Sequence, residues 1–204
     1  MPAKTTKILL LLLCLCWSLW HIPLAAFPGN LKGTQVAEMD STDSQTYKQI
    51  TLIKELNQAE HYEKAQEESE KLFNQYRSLL EKDKKLLREA YYERAYTASG
   101  LHQQKLEIEH TLKALSVMEN DPGLFPASDF IQIFNDLYYY QHNYDDKKGM
   151  ADAYRKYLAY FNKNKTALDS ETFGYARRVL RKMEISEALN GQQPQLALEI
   201  LSRF

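Results

Sequence analysis

From about residue 44 onward, apolar residues recur at every third or fourth position, and charged residues fill the positions between them. This spacing is that of amphipathic helices, in which residues i, i+3 and i+4 share one face. Few turn signals and no alternating strand patterns occur. The pattern predicts an all-α domain over 44–204 with eight helices. They lie near 44–58, 61–80, 83–99, 102–119 and 129–142, after Asp145 to about 161, after Asp169 to about 189, and from 194 almost to the end.

Short polar breaks separate the predicted helices. Ser128 or Asp129 can cap the fifth helix, and Pro194 suits the first turn of the eighth. Short breaks make neighbouring helices antiparallel, so eight helices form four pairs. The second members of these pairs begin at intervals of roughly 40 to 50 residues, which predicts a solenoid of stacked hairpins. The alternative is an ordinary helical bundle without a repeat. Other breaks are Ser99-Gly100, "NDPG" at 120–123, "NKNK" at 162–165 and Asn190-Gly191.

The sequence of the fifth helix, "DFIQIFNDLYYYQHNY" at 129–144, is apolar on nearly every side. A helix of this kind is contacted all round, so one interpretation places it at the centre of the stack. A second interpretation lets one edge of this helix line a groove that binds a partner, because tyrosine offers a large contact area with a polar tip and asparagine can fix a peptide backbone. The residues of that edge are Asn135, Tyr138, Tyr139 and His142.

Several segments resemble the tetratricopeptide repeat (TPR). In "AEHYEKAQEESEKL", 59–72, Tyr62 and Ala65 match the start of a repeat's second helix. "YYERAYTASG" (91–100) resembles a first helix, "LKALSVMENDP" (112–122) a repeat's end, and "YDDKKGMADAYRKYLAY" (144–160) another second helix. Glu107 departs from the pattern, since it stands near an expected alanine. The resemblance implies a right-handed superhelix of about four helix pairs that binds proteins on a concave surface lined by the first helices.

The first 26 residues have the three-part layout of a secretory signal peptide: Lys4 and Lys7, an apolar run over 8–20, and the small pair Ala25-Ala26. Cleavage after Ala26 is one interpretation. The other is an uncleaved anchor, since 8–27 is about long enough to cross a bilayer. Both predict export to a periplasm or the extracellular space. Residues 27–43 are predicted to be a flexible spacer.

Composition and charge narrow the function further. The chain of 204 residues is 44% hydrophobic and 26% charged, with a formal net charge of −1, which gives no electrostatic case for nucleic acid. Both cysteines, Cys14 and Cys16, lie inside the apolar run, so a cleaved chain would contain no disulfide and no thiol nucleophile.

The sequence shows no motif of an enzyme. None of its histidines falls in a metal-ligand pattern, and His102 and His110 are interpreted as surface residues. The chain contains no glycine-rich phosphate loop and no Gly-x-Ser-x-Gly. We therefore expect no catalytic, cofactor-binding or metal-binding residues, and no cofactor.

A dense basic cluster lies in "YARRVLRKME", 175–184. Positive charge suits the C-terminal half of a helix, so one interpretation of the cluster is a solvated face. The alternative is a patch for an acidic partner segment or an anionic envelope polymer. Its residues are Arg177, Arg178, Arg181 and Lys182.

Together these features predict an exported, TPR-like scaffold or adaptor that binds a protein or peptide partner in the cell envelope. The chain would meet a membrane only through 8–27, if that segment is uncleaved. The alternative is an extracytoplasmic peptide or small-ligand sensor in which Tyr138, Tyr139 and neighbouring helices enclose a pocket.

Overall fold

The computed structural model describes the backbone of residues 41–202 and the side chains of 44–202. Within 41–202 the chain forms eight α-helices, one short 3-10 helix and no strand, which confirms the all-α prediction for this range. The helices are α1 (Ser41–Gln58), α2 (Tyr62–Lys82), α3 (Lys84–Gly100), α4 (Gln104–Asn120), α5 (Ala127–Asn143), α6 (Lys147–Asn164), α7 (Ser170–Asn190) and α8 (Pro194–Ser202), with the 3-10 turn at Pro122–Leu124.

The predicted signal peptide at 1–26, the possible membrane segment at 8–27, and all but the last residues of the spacer at 27–43 lie outside the described residues. The spacer was predicted to reach residue 43, whereas α1 already begins at Ser41. From Ser41 to Ser202, no helix has both the length and the apolar character needed to span a bilayer.

Consecutive helices pack as hairpins: α1 on α2, α3 on α4, α5 on α6 and α7 on α8. The hairpins also meet one another, because α1 packs on α3, α4 on α5 and α5 on α7. Helix α5 thus contacts α4, α6 and α7, and it buries apolar side chains such as Ile131, Ile133 and Leu137. The interpretation of α5 as a helix with neighbours on several sides agrees with this packing.

The four hairpin turns share one backbone conformation. Each contains a single non-glycine residue with φ between 53° and 59°, and that residue stands two positions before the next helix begins. In each turn the amide of the following residue donates to a carbonyl near the end of the preceding helix, as His61 N does to Leu56 O at 2.9 Å and Gln103 N to Ala98 O at 2.8 Å. These bonds satisfy carbonyls that a helix end would otherwise leave unpaired. The left-handed residues are Glu60, His102, Asp145 and Gln192.

Small residues lie where the helices cross. Ala65, Ala95 and Ala98 are buried. Ala65 and Ala197 are equivalent, since each stands the same number of residues after the left-handed residue of the turn before its helix. An alanine at a crossing lets two helix backbones approach closely. Larger apolar side chains fill the remaining interior, and those that are almost fully buried include Ile53, Leu72, Leu80, Leu115, Met118, Met150, Tyr157 and Met183.

Two of the predicted boundaries were wrong. Helix α5 begins at Ala127, directly after Pro126, and has no side-chain cap, so Asp129 falls inside its first turn. Proline fixes φ near the value that a helix start requires, which is enough to begin the helix here. Helix α6 continues to Asn164, whose side-chain Nδ2 donates to Tyr160 O at 2.8 Å, so the polar "NKNK" residues are compatible with a helical last turn. In contrast, Asp169 caps α7 by accepting from Thr172 N at 2.9 Å.

Candidate functional site

The first helices of the hairpins, α1, α3, α5 and α7, are joined by side-chain hydrogen bonds. Asn57 Nδ2 of α1 donates to Glu93 Oε2 of α3 at 2.9 Å, and Tyr92 Oη of α3 donates to Asp136 Oδ2 of α5 at 2.6 Å. Tyr175 Oη of α7 donates to Gln132 Oε1 of α5 at 2.7 Å. These bonds tie each hairpin to the next along one side of the described unit.

Two of these acceptors are buried carboxylates at equivalent places. Glu93 and Asp136 are 6% and 5% exposed, and each precedes the left-handed residue of its own hairpin by the same interval. Among residues 44–202 neither has a Lys, Arg or His nitrogen within 4.0 Å. Burial raises the pKa of both carboxyl groups, and it raises that of Asp136 to about 6. The hydrogen bond that Asp136 accepts from Tyr92 lowers the Asp136 pKa, but burial has the larger effect.

A third buried carboxylate belongs to Glu107 of α4, which is 1% exposed and accepts from Tyr144 Oη at 2.6 Å. Glu107 and Ala65 occupy equivalent positions: each stands the same number of residues after the left-handed residue of the turn before its helix. The structure therefore places Glu107 at the position where the repeat pattern expects a small residue, and the Tyr144 hydroxyl supplies its hydrogen bond.

Tyrosine rings cover this acidic interior. We use the term tyrosine face for Tyr62, Tyr96, Tyr139 and Tyr140. The rings of Tyr62 and Tyr96 lie 6.5 Å apart, and those of Tyr139 and Tyr140 lie 6.2 Å apart. Burial raises the pKa of the Tyr140 hydroxyl, and the nearby Asp136, Glu107 and Tyr96 raise it further, so this hydroxyl stands among the carboxylates. Tyr96 and Tyr139 are 44% and 39% exposed, and they occupy equivalent places in α3 and α5.

The structure separates the four residues predicted on α5. Tyr139 and His142 are exposed and Asn135 is half-buried. Tyr138 is 3% exposed, and its hydroxyl donates to Glu187 Oε1 of α7 at 3.0 Å. Of the four, Tyr139 and His142 can meet a partner directly, while Tyr138 contributes to the packing of α5 on α7. Their role in binding stays a prediction.

The basic cluster on α7 is likewise spread over different surroundings. Arg181 Nη2 donates to Leu201 O near the end of α8 at 2.6 Å, and the Arg177 guanidinium lies 5.9 Å from the centre of the Phe173 ring. Arg177, Arg178 and Lys182 are exposed, and burial of part of the Lys182 side chain together with the nearby Arg178 lowers the pKa of Lys182. These three are therefore the members of the cluster best placed for an acidic partner, whereas Arg181 is half-buried.

Sequence reasoning missed a groove between α2, α3 and α4. It has a volume of about 220 Å³, and its apolar lining comes from Phe73, Leu87, Tyr91 and Val117. Arg77, Glu81, Lys113 and Ser116 complete the lining. One signal was present in the sequence: Arg94 falls on the same helical face as Leu87, Ala90, Tyr91, Ala95 and Ala98, where a charged residue is unexpected.

The surface assignment of His110 was wrong. His110 is 8% exposed and stacks on the ring of Tyr91, with ring centroids 6.3 Å apart. Its side chain faces α3 because α3 and α4 pack closely as a hairpin. His102 is exposed, as expected, in the α3–α4 turn. Within the described part of the chain, no three His, Cys, Asp or Glu side chains converge as a set of metal ligands.

No family model, curated protein or solved structure matches this chain.

Proposed function

We propose that this protein is a TPR-like solenoid that acts as a scaffold or adaptor and binds a partner protein through the tyrosine face. The repeat is supported by the four hairpin turns, which share one backbone conformation and one hydrogen-bond pattern. Stacked hairpins of this kind extend a surface across several repeats. In this arrangement the first helices α1, α3, α5 and α7 line the concave side.

The observation that carries the binding proposal is the exposure of Tyr96 and Tyr139 at equivalent positions of neighbouring first helices. Large aromatic side chains give much contact area for little loss of conformational freedom, and they are enriched among the residues that dominate binding energy. The nearby carboxylates of Asp136 and Glu107 are buried and accept hydrogen bonds from Tyr92 and Tyr144, two tyrosines outside this face, so they are already paired within the chain.

Site-specific photocrosslinking tests this proposal. A photoreactive residue at position 96 and one at position 139 should capture the same protein in cells that make the chain, while one at position 196 should not. Leu196 is a matched control because it is 39% exposed, as Tyr139 is, but belongs to α8. The purified partner should then bind the wild-type chain and lose at least tenfold in affinity for a Tyr96→Ser, Tyr139→Ser double variant.

Three results would contradict the scaffold: capture of unrelated proteins at positions 96 and 139, equal capture at position 196, or an unchanged affinity in the double variant. The small-ligand sensor remains the second choice, because its predicted pocket residue Tyr138 is taken up in contacts with α7.

We also propose that the protein is exported. The support is the charged, apolar and small-residue sequence of positions 1–26, and the restriction of cysteine to that segment. Cell fractionation combined with intact-mass measurement tests it. A chain shortened by 26 residues outside the cytosol indicates cleavage, a full-length chain in the membrane fraction indicates an anchor, and a full-length chain free in the cytosol contradicts export.

A further inference from the structure

The side chain of Arg94 is a half-buried cation that forms no salt bridge, although the more distant carboxylates of Glu70 and Glu109 favour its charged form. Its guanidinium carbon lies 4.4 Å from the centre of the Phe73 ring. Within residues 44–202 no carboxylate oxygen is within 4.0 Å of it. Burial lowers the pKa of Arg94, and burying a charge without a paired group is costly. A position of this kind suits an anion that arrives from outside.

Aromatic rings connect Arg94 to a second cation. Phe73 packs against Tyr91 at a centroid distance of 5.1 Å, and the Lys113 ammonium lies 5.8 Å from the centre of the Tyr91 ring. On the far side of Tyr91, His110 is 8% exposed, and its Nδ1 has no hydrogen-bond partner. Burial lowers the pKa of His110 to about 4, with Arg94 and Lys113 acting in the same direction and Glu109 in the opposite one, so both cations lie close to these rings.

Phe73, Tyr91 and Lys113 also line the groove of about 220 Å³ between α2, α3 and α4. Its other cation, Arg77, pairs with Glu81 at 3.0 Å, but the two side chains are 75% and 57% exposed. Lys113 pairs with Glu109 at 2.7 Å, and both of these side chains are also largely in water. Exposed ion pairs contribute little free energy, so an incoming anion can replace either carboxylate at small cost.

The wall formed by α2 is bent at the groove. Tyr76 has φ −122° and ψ 16°, which interrupts the helix between Phe73 and Arg77. A kink of this kind changes the direction of the side chains on either side of it. Here the kink lies between two residues of the groove lining, Phe73 and Arg77.

Arg94 is not part of the groove lining, but it adjoins the groove through the ring of Phe73. We propose that the groove binds a small amphipathic carboxylate, whose apolar body packs on Phe73, Tyr91 and Val117 and whose carboxylate pairs with Lys113 and with the adjoining Arg94. The volume is below the roughly 300–1,000 Å³ of pockets that hold drug-sized ligands, so the ligand is about the size of one aromatic ring with a short acidic side chain. Arg94 offers a planar fork that matches a carboxylate. The groove and the tyrosine face share no residue, so this binding does not depend on the proposed scaffold function.

Calorimetric titration of the full chain with three probes of one shape tests the ligand class. Phenylacetate carries the anion, phenylacetamide is its neutral counterpart, and 2-phenylethylamine is cationic. Phenylacetate should bind at least tenfold more tightly than the amide, and the amine should bind more weakly than both. Binding of phenylacetate should weaken as salt rises, since screening reduces the attraction of exposed charges. Equal binding of phenylacetate and phenylacetamide would overturn the proposal.

Variants test the residues. Arg94→Gln should weaken phenylacetate binding at least tenfold and leave phenylacetamide binding unchanged, and Lys113→Gln should have a smaller effect in the same direction. Arg155→Gln is the matched control, because Arg155 is an exposed arginine of α6 that pairs with Asp152. Arg94→Lys keeps the charge and serves if Arg94→Gln unfolds. Wild-type affinity in both Arg94 variants would contradict the assignment.

Chemical-shift changes in the unmodified chain locate the site without any variant. Phenylacetate should perturb Phe73, Tyr91 and Val117 while the resonances of Tyr96 and Tyr139 stay in place. Perturbation of the tyrosine face instead, or binding of an acidic peptide with no measurable binding of phenylacetate, would overturn the proposal. The first result would place the carboxylate elsewhere, and the second would make the surface a protein-docking site.

Discussion

Gly100, the last residue of α3, lies directly against the ring of Tyr62 at the start of α2. A Cβ atom added to Gly100 would meet Tyr62 Cδ1 and Cε1 at 2.4 Å, well inside van der Waals contact. No glycine in the described part of the chain has a positive φ, so Gly100 is required for space and not for backbone conformation. The contact links the first two hairpins, because Tyr62 belongs to one and Gly100 to the other.

We expect Gly100→Ala to destabilise the fold by about 1–3 kcal/mol, the usual cost of forcing extra atoms into a packed site. The Tyr62 ring would have to move, and with it one end of the tyrosine face. Urea unfolding followed by circular dichroism measures the free energy of unfolding. Gly174→Ala is the matched control: Gly174 also lies in a helix, but a Cβ there meets only Arg178 Nη1 at 3.6 Å.

At Gly174 the substitution should leave the protein equally stable or stabilise it by up to about 1 kcal/mol, because alanine favours a helix more than glycine does. Equal effects of the two substitutions would mean that the Tyr62 ring is free to move away, and that Gly100 has no special role.

The buried pair Glu107 and Tyr144 should show a strong mutual dependence. Tyr144→Phe leaves the Glu107 carboxylate buried without its hydrogen bond, and it should lower the free energy of unfolding by about 1–3 kcal/mol. In a Glu107→Gln background the same change should cost only about 0.5–1.5 kcal/mol, since the acceptor is then uncharged. A double-mutant cycle by urea unfolding measures the difference.

Tyr47→Phe is the control for that cycle, because Tyr47 is 53% exposed and its hydroxyl should not influence stability. If Tyr144→Phe costs the same in both backgrounds, the Glu107 carboxylate is not held by Tyr144, and its burial needs another explanation.

Much of the fold could be predicted from the sequence, because helical spacing and breaks are local signals. The positions of α3 and α7 followed from residues that lie within one or two turns of the predicted ends, such as Asp169. The hydrogen bonds between hairpins are different. Tyr92 and Asp136 are far apart in the sequence, and nothing near either residue signals the other.

Asp136 also lies in α5, a helix that is apolar on nearly every side, where the pattern suggested only packing. The groove was harder still to predict. It depends on how α2 and α4 are placed around α3 and on the kink at Tyr76, and neither has a sequence signature. Arg94 alone could have drawn attention, as a charged residue on a buried face.

Arg178 and Lys182, two of the exposed residues of the basic cluster, should matter for binding and not for folding. Arg178→Glu together with Lys182→Glu should change the free energy of unfolding by no more than about 0.5 kcal/mol, as expected for surface substitutions. If this patch binds an acidic partner segment, the double variant should lose partner binding by at least tenfold. Arg181→Glu should behave differently: it removes the donor to Leu201 O, so α8 should become less protected from hydrogen exchange. Unchanged partner binding in the double variant would reduce the patch to a solvated surface.

The pH dependence of stability should contain two opposing contributions that variants can separate. Asp136 has a pKa of about 6 in the folded chain, raised by burial, against roughly 3.9 in an unfolded chain. Between these values the folded state holds more protons than the unfolded state, so this group lowers stability as pH rises from about 4 to 6. Glu93, whose pKa burial also raises, acts in the same direction.

His110 acts in the opposite direction. Its pKa is about 4 in the folded chain, lowered by burial and by Arg94 and Lys113, against roughly 6.5 when unfolded. Here the unfolded state holds more protons, so this group raises stability as pH rises from about 4 to 6.5. Because the two pH ranges overlap, the free energy of unfolding of the wild-type chain should change less with pH than either contribution alone would make it change.

Asp136→Asn should remove the larger part of the first contribution and leave only that of Glu93, so the stability of that variant should rise with pH between about 4 and 6.5. His110→Phe keeps a ring beside Tyr91 but removes the second, so the stability of that variant should fall with pH from about 4 to 6. In each variant the free energy of unfolding should change by about 1–3 kcal/mol across its pH range. Urea unfolding at half-unit pH steps measures both curves, and NMR titration of Asp136 and His110 in the wild-type chain measures the two pKa values directly. Parallel curves for the two variants would contradict the assignment, because opposite signs are what the surroundings of these residues require.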